Sequence, residues 1–332
     1  MRAVLLKDFK SDHLVVEDIP MPALRPGHVL IKMAAASINP SDLVFLRNQY
    51  GVAKKLPVVP GFEGSGTVVS AAAGWYGRWL VGKRVACKAP EDGNGTWAEY
   101  VATEAKCVIP LKREVTLEQG AALVVNPLTA YLLLRMAKDA GHQAFIQTAA
   151  ASALGRMIER LSRRWGLHSI NIVRRREHVE LLKKDGAIHV LDTSQEGWPD
   201  QLKVLADRFK VGIAFDAVGG ILSAQVADAL TKGGRVVNYG ALGGENCQMS
   251  PRSLIFEDKH LDGFWLSAWI KKRHPLRNIR MILECQNMLG AELRTEIQAR
   301  LPLEKVHEAL ALYKAKRSVG KVILIPQEEL KQ

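Results

Sequence analysis

The sequence predicts an α/β chain of two domains, in which a β-rich domain is interrupted by a parallel-sheet domain and then resumed. Three observations carry this. The N-terminal third consists of short β-branched runs separated by Pro and Gly signals. From about residue 118, strand-like and helix-like stretches alternate, the grammar of βαβ units and a parallel sheet. Near the end, LPLEKVHEALALYKAKRSVGKVILI reads as a helix, a glycine turn and a strand with no βαβ partner after it, so that strand is expected to return to the first domain. A length of 332 residues fits two domains. The expected segments are 1–117, 118–270 and 271–332.

In the first segment the strand candidates are HLVVEDI, HVLIKMAAASI, GSGTVVSAA and KRVACKA, punctuated by Pro20, Pro22, Pro26-Gly27 and Pro60-Gly61. In the second they are AFIQT (144–148), SINIV (169–173), HVLDT (189–193), VGIAFDAV (211–218) and GRVVNYG (234–240). Helical stretches such as GRMIERLSRRWG and REHVELLKKDGA lie between, the latter capped at Gly186.

Composition sets the class. Apolar residues make up 48% and charged residues 24%, which argues against disorder. The formal charge of +12 is compatible with nucleic acid, a membrane surface or an anionic small molecule, but no run of five or six like charges and no nucleic-acid motif accompanies it. Cys87, Cys107, Cys247 and Cys285 are widely spaced, without a CxxC pair, and read as reduced thiols. The N-terminus has no signal-peptide core, and the apolar stretch from Gln119 to Leu134 is interrupted by Asn126-Pro127. A cytoplasmic protein with no nucleic-acid or membrane partner is expected. No histidine falls in an HExxH pattern, and no GxSxG elbow is present.

A dinucleotide site needs a strand, a tight small-residue turn and a helix N-terminus facing the pyrophosphate. Here AFIQT leads into Ala149-Ala150-Ala151-Ser152-Ala153-Leu154-Gly155 and a helical run. Only the last glycine of a GxGxxG pattern survives, so a buried Ala-rich helix start is the competing reading. The next strand, SINIV, ends in Arg174, Arg175 and Arg176, where an acidic residue would favour a ribose 2′-hydroxyl. Guanidinium groups match a 2′-phosphate, so the triplet predicts NADPH; the alternative is a solvated basic helix start. Two further glycine turns, Val218-Gly219-Gly220 and Tyr239-Gly240-Ala241-Leu242-Gly243-Gly244, also follow strands.

The segments INPSDLVFLRNQYG (38–51), LPVVPGFEGSGTVV (56–69), NPLTAYLLL (126–134) and GKVIL (320–324) occur in an order that resembles the medium-chain dehydrogenase/reductase superfamily over nearly the full length. The resemblance implies a GroES-like β-rich catalytic domain plus a Rossmann doubly wound parallel-sheet domain. Zinc-dependent members bind metal through Cys, His and Cys; the matching positions here are Asn39, Phe62 and about Val125, so no metal is expected. SLIFEDKHLDGFWLSAW (253–269), INIVRRR and VNYGALG are similar to the 2-enoyl thioester reductases, with quinone oxidoreductases alongside. That resemblance implies NADPH binding by Asn126, by Ala151, Ser152, Ala153 and Leu154, by Arg174, Arg175 and Arg176, by Tyr239, Gly240, Ala241 and Leu242, by Phe264, Trp265, Leu266 and Ser267, and by Lys321. It also implies that Tyr50 is the proton donor and that a homodimer forms through an edge strand near residues 260–269. The chain departs from the pattern at Ala153, where the family usually has Gly.

Hydride addition to an activated C=C fits a site without a Lewis acid, because the carbonyl spreads the charge as an enolate. A phenol keeps its proton at neutral pH and can donate it to the α carbon. Asn39, Asp42 and Asn126 could orient substrate or nicotinamide, while Ser41-Asp42 before LVFL also suits a helix cap. The expected reaction is NADPH-dependent reduction of a 2-enoyl thioester, on CoA or acyl carrier protein. The alternatives are a quinone or alkenal reductase and a non-catalytic nucleotide-binding protein.

Overall fold

The computed structural model of the protein describes residues 1–9, 13–315 and 319–326. Residues 316–318 and 327–332 of the expected last segment lie outside the described residues. The chain forms two compact units, a split unit of residues 1–126 with 282–332 and an inserted unit of residues 127–281.

The split unit begins with β1 (Arg2–Leu6) and β2 (Leu14–Asp18), an antiparallel pair. Then follow β3 (His28–Ser37), α1 (Pro40–Leu46), β4 (Glu63–Ala71), α2 (Gly74–Leu80), β5 (Arg84–Lys88), β6 (Tyr100–Glu104), β7 (Val108–Pro110) and α3 (Leu117–Ala121). α4 (Asn126–Asp139) carries the chain across the boundary.

The inserted unit contains β8 (Ala144–Gln147), α5 (Ala153–Arg164), β9 (His168–Val173), α6 (Arg176–Lys184), β10 (His189–Asp192), α7 (Trp198–Phe209) and β11 (Ile213–Asp216). It continues with α8 (Ile221–Ala229), β12 (Arg235–Asn238), α9 (Pro251–Ile255), β13 (His260–Gly263) and α10 (Leu266–Lys272). α11 (Pro275–Met288) leads back, and β14 (Ile297–Pro302), α12 (Val306–Ala315) and β15 (Lys321–Ile325) complete the split unit.

In the split unit one sheet runs β14-β15-β3-β4-β5-β7, with β6 also on β3. β3 is its longest strand, and its alternation puts Val29, Ile31, Met33 and Ala35 into the core. β15 pairs antiparallel with β3, Ile323 opposite Ser37, so the last strand does return to the first domain. Val322, Ile323 and Leu324 are fully buried there. β14 pairs parallel with β15. Its sequence, IQARLP, alternates weakly and ends on Pro, which hides it from a periodicity reading.

The inserted unit is a six-stranded, all-parallel sheet in the order β10-β9-β8-β11-β12-β13. β8 and β11 are buried at every position, as strands covered on both faces must be. The order reverses between β8 and β11, where open α/β sheets bind ligands at their carboxyl ends.

The unit boundaries lie at 126/127 and 281/282, beyond the expected 117/118 and 270/271. α3 belongs to the split unit because Ser37 Oγ donates to the Ala121 carbonyl at 2.9 Å and Ser65 Oγ donates to that of Leu117. At the far end α10 and the first half of α11 stay with the inserted unit.

Candidate functional site

Four groups of expected residues share one edge of the inserted sheet. Ala151–Leu154 follow β8, Arg174–Arg176 follow β9, Tyr239–Leu242 follow β12 and Phe264–Ser267 follow β13, each at the carboxyl end of a parallel strand.

The turn after β8 is tight. Ala149 takes φ of +48°, the left-handed region that glycine usually supplies. Ser152 caps α5, its Oγ accepting from the Gly155 amide at 3.1 Å. A Cβ on Gly155 would lie 2.5 Å from the Ala150 carbonyl oxygen, so this glycine is required by close approach. Ala151 to Leu154 thus stand at the start of a twelve-residue helix whose first amides have no intrahelical acceptor.

Arg174, Arg175 and Arg176 are all exposed. Arg175 reaches Glu177 at 3.2 Å, whereas among the described residues neither Arg174 nor Arg176 is in an ion pair. Tyr239 has a buried hydroxyl with no hydrogen-bond partner among the described residues, and its burial pushes the phenol's pKa upward. Phe264 is buried against Trp269, with ring centroids 5.6 Å apart, while Trp265 is exposed.

Asp216, at the end of β11, organises this edge. Oδ1 accepts from Thr148 Oγ1 at 2.7 Å and from the Val218 amide at 2.9 Å. Oδ2 accepts from Ser223 Oγ at 2.7 Å, the Gly219 amide at 3.1 Å and Asn238 Nδ2 at 3.3 Å. One buried carboxylate thereby ties the ends of β8, β11 and β12 together. Its only sequence signal is that of an acidic residue ending an apolar strand just before Gly219-Gly220.

The split unit holds a second cluster, around residues 39 to 63. Asn39 caps α1, and Asp42 Oδ2 accepts from the Asn39 amide at 2.7 Å, so Asp42 does serve as a cap residue. Asn39 Nδ2 donates to Glu63 Oε1 at 2.9 Å. Glu63 Oε2 accepts from the amides of Val124 and Val125, both at 2.9 Å, directly before Asn126. Lys321 Nζ donates to Asn39 Oδ1 and lies 3.8 Å from Glu63 Oε1. All four side chains are buried.

Burial pushes Asp42 up to about 7 and raises Glu63, while Lys321 pulls the Glu63 carboxyl back down. Burial likewise lowers the Lys321 ammonium, opposed by Glu63 and Asp42. Lys321, expected at the cofactor, therefore has protein partners within its own unit. Tyr50 is half-buried, its ring 4.5 Å from that of Phe62, which in turn packs on Phe45 at 5.7 Å. Phe62 and Tyr50 are both half-buried and pack against the core cluster that holds Phe45.

The donors of this cluster do not fit a zinc ion. Asn39, Phe62 and Val125 offer neither thiolate nor imidazole, and the cation beside Glu63 is Lys321. Among the described residues no three His, Cys, Asp or Glu side chains gather into a metal-sized group. The inserted unit's edge, by contrast, suits a phosphorylated dinucleotide: a close-approach glycine, a helix N-terminus, exposed arginines and an unpartnered buried hydroxyl.

Comparison with known proteins agrees with the division into two units. Residues 25–113 match the alcohol dehydrogenase GroES-like domain, and residues 153–281 match the zinc-binding dehydrogenase domain. The human mitochondrial enoyl-[acyl-carrier-protein] reductase is 31% identical over 305 residues, covering 89% of this chain and 80% of its own. A crystal structure of a candidate NADPH:quinone reductase from Mesorhizobium loti superposes with a TM-score of 0.90 at 36% identity, covering 98% of both chains. The quinone oxidoreductase of Thermus thermophilus, also solved in complex with NADPH, gives 0.79 at 25% identity over 98% of this chain and 100% of that one. The chain belongs to the medium-chain dehydrogenase/reductase superfamily, among the enoyl reductases and quinone oxidoreductases.

Proposed function

We propose that the protein reduces the activated C=C bond of a 2-enoyl thioester, carried on CoA or acyl carrier protein, with NADPH and without a metal. The observation that carries this reading is the 31% identity to an enoyl-[acyl-carrier-protein] reductase across 89% of the chain, joined to donor chemistry that suits a 2′-phosphate and not zinc. When bound, NADPH supplies the hydride that adds to the β carbon. Arg174 and Arg176 hold the 2′-phosphate, and the start of α5 holds the pyrophosphate. Asn126 and Tyr239 orient the cofactor, and Tyr50 delivers the proton to the α carbon.

Turnover of NADPH with crotonyl-CoA tests the reaction. Tyr50→Phe should lower kcat by roughly 10²-fold or more with little change in KM. An unchanged kcat removes Tyr50 from the acid role. The second reading, a quinone or alkenal reductase, is favoured by the names of the similar solved structures. Activity with benzoquinone and none with crotonyl-CoA would establish it.

We further propose that the protein is a cytoplasmic homodimer. Among the described residues β13 pairs only with β12, which leaves a free edge at residues 260–263 for a second copy. A monomer by sedimentation would refute this.

A further inference from the structure

Helix α2 is apolar on both sides. Its inner side is fixed: Leu80 and Gly77 are buried, and a Cβ on Gly77 would meet that of Ala73 at 2.7 Å. Tyr76 packs on the cluster of Val29, Val68 and Val85. The outer side carries Trp75 and Trp79, which are 75% and 51% exposed although an indole is among the costliest side chains to leave in water. They sit one helical turn apart and so share a face. Tyr76 joins them, stacked on Trp79 at 5.7 Å and edge-on to Trp75 at 5.8 Å. Val81, the residue that ends the helix, is exposed as well.

The rim is cationic. Arg78 projects from the same helix, and the Lys83 ammonium lies 4.4 Å from the Trp79 ring centroid. Between Glu63 and Glu91 the chain contains no Asp or Glu. We infer that this face is a docking surface for an anionic lipid bilayer, on which the protein lies peripherally. Indoles settle at the boundary between headgroups and acyl chains, and flanking cations are drawn to anionic headgroups. Both halves of that chemistry are present on one short helix. A second copy of the chain is a poor occupant, because a two-fold contact would gather the Arg78 and Lys83 cations of both copies around one seam with no acidic residue from this stretch to offset them. No helix among the described residues is long and apolar enough to cross a membrane, so the contact is with the surface alone.

Sedimentation of the full chain with vesicles tests this. Wild type should pellet with vesicles containing about one third phosphatidylglycerol and stay in solution with pure phosphatidylcholine, with binding falling as salt rises. Trp75→Ser with Trp79→Ser should abolish pelleting, and Arg78→Glu should weaken it about tenfold. NADPH oxidation in solution should stay at the wild-type rate in both variants, which separates this inference from the catalytic reading. Wild type remaining in solution with both vesicle types would overturn it. So would equal recovery with both lipids, or a Trp75/Trp79 variant that pellets as wild type does. The wild-type comparison needs no variant to fold.

Discussion

The inserted unit and the split unit handle charge in opposite ways. At the carboxyl edge of the inserted sheet the cations, Arg174 and Arg176, stand in solvent without protein partners among the described residues, available to a ligand. In the split unit Lys321, Glu63, Asp42 and Asn39 are buried and spend their hydrogen bonds on one another and on the backbone before Asn126. An exposed cation costs the fold little and is free to bind. A buried one is tolerated only while its partners remain, and then it fixes geometry.

The comparison predicts an ordering of effects. The largest belongs to Glu63→Ala, which strands the Lys321 charge and the amides of Val124 and Val125. It should cost roughly 3–5 kcal/mol by urea unfolding. A loss under about 1 kcal/mol would mean that water reaches the cluster.

Next comes a pH effect. Burial holds Asp42 at about 7 in the folded chain, whereas an unfolded Asp releases its proton near pH 4. Between those values the folded state carries the extra proton, so the contribution of Asp42 to stability declines as pH rises from about 4 to 7 and is level above. Asp42→Asn keeps an oxygen for the Asn39 amide and should remove that decline. Relative to wild type, the variant should gain about 2–4 kcal/mol at most between pH 4 and pH 8. Parallel stability profiles for the two proteins would refute the assignment.

Smaller still is the exposed site. Replacing Arg174 and Arg176 with Ser should weaken NADPH by about 10- to 100-fold and leave NADH and the melting temperature almost unchanged. Equal losses for both cofactors, read by calorimetry, would place the arginines elsewhere than at the 2′-phosphate. The smallest effect is expected of Ala149→Gly, which removes left-handed strain but adds chain entropy, for a net change within about 1 kcal/mol.

This contrast also explains what the sequence could show. The carboxyl edge of the inserted sheet is legible because each of its turns is contiguous and follows an apolar strand; AFIQT and INIVRRR carry their own context. Where glycines are missing from the turn after β8, Ala149 takes the left-handed φ, and Gly155 allows the close approach to Ala150. The buried cluster was only half legible. Asn39 and Lys321 stand out in the sequence for other reasons, and no motif marks Glu63. Its partners lie 24 and 61 or more positions away along the chain, and no periodicity encodes a pairing made by the meeting of β4, β15 and the loop before α4. Asp216 escaped for a related reason: its five donors come from four separate segments.

The return of β15 to the first sheet has a consequence for biosynthesis. Synthesis proceeds from the N-terminus, so the inserted unit has all six strands once Gly263 has emerged, while the split unit, begun first, still lacks its last strands. Until β15 arrives, β3 lacks its partner at Ala36 and Ser37, and Glu63 and Asn39 lack Lys321. The half made first is thus the half finished last. A ribosome stalled after α11 would display a complete parallel sheet and a second sheet still open, and the arrival of β15 would close that sheet and bring Lys321 to Glu63 in one step.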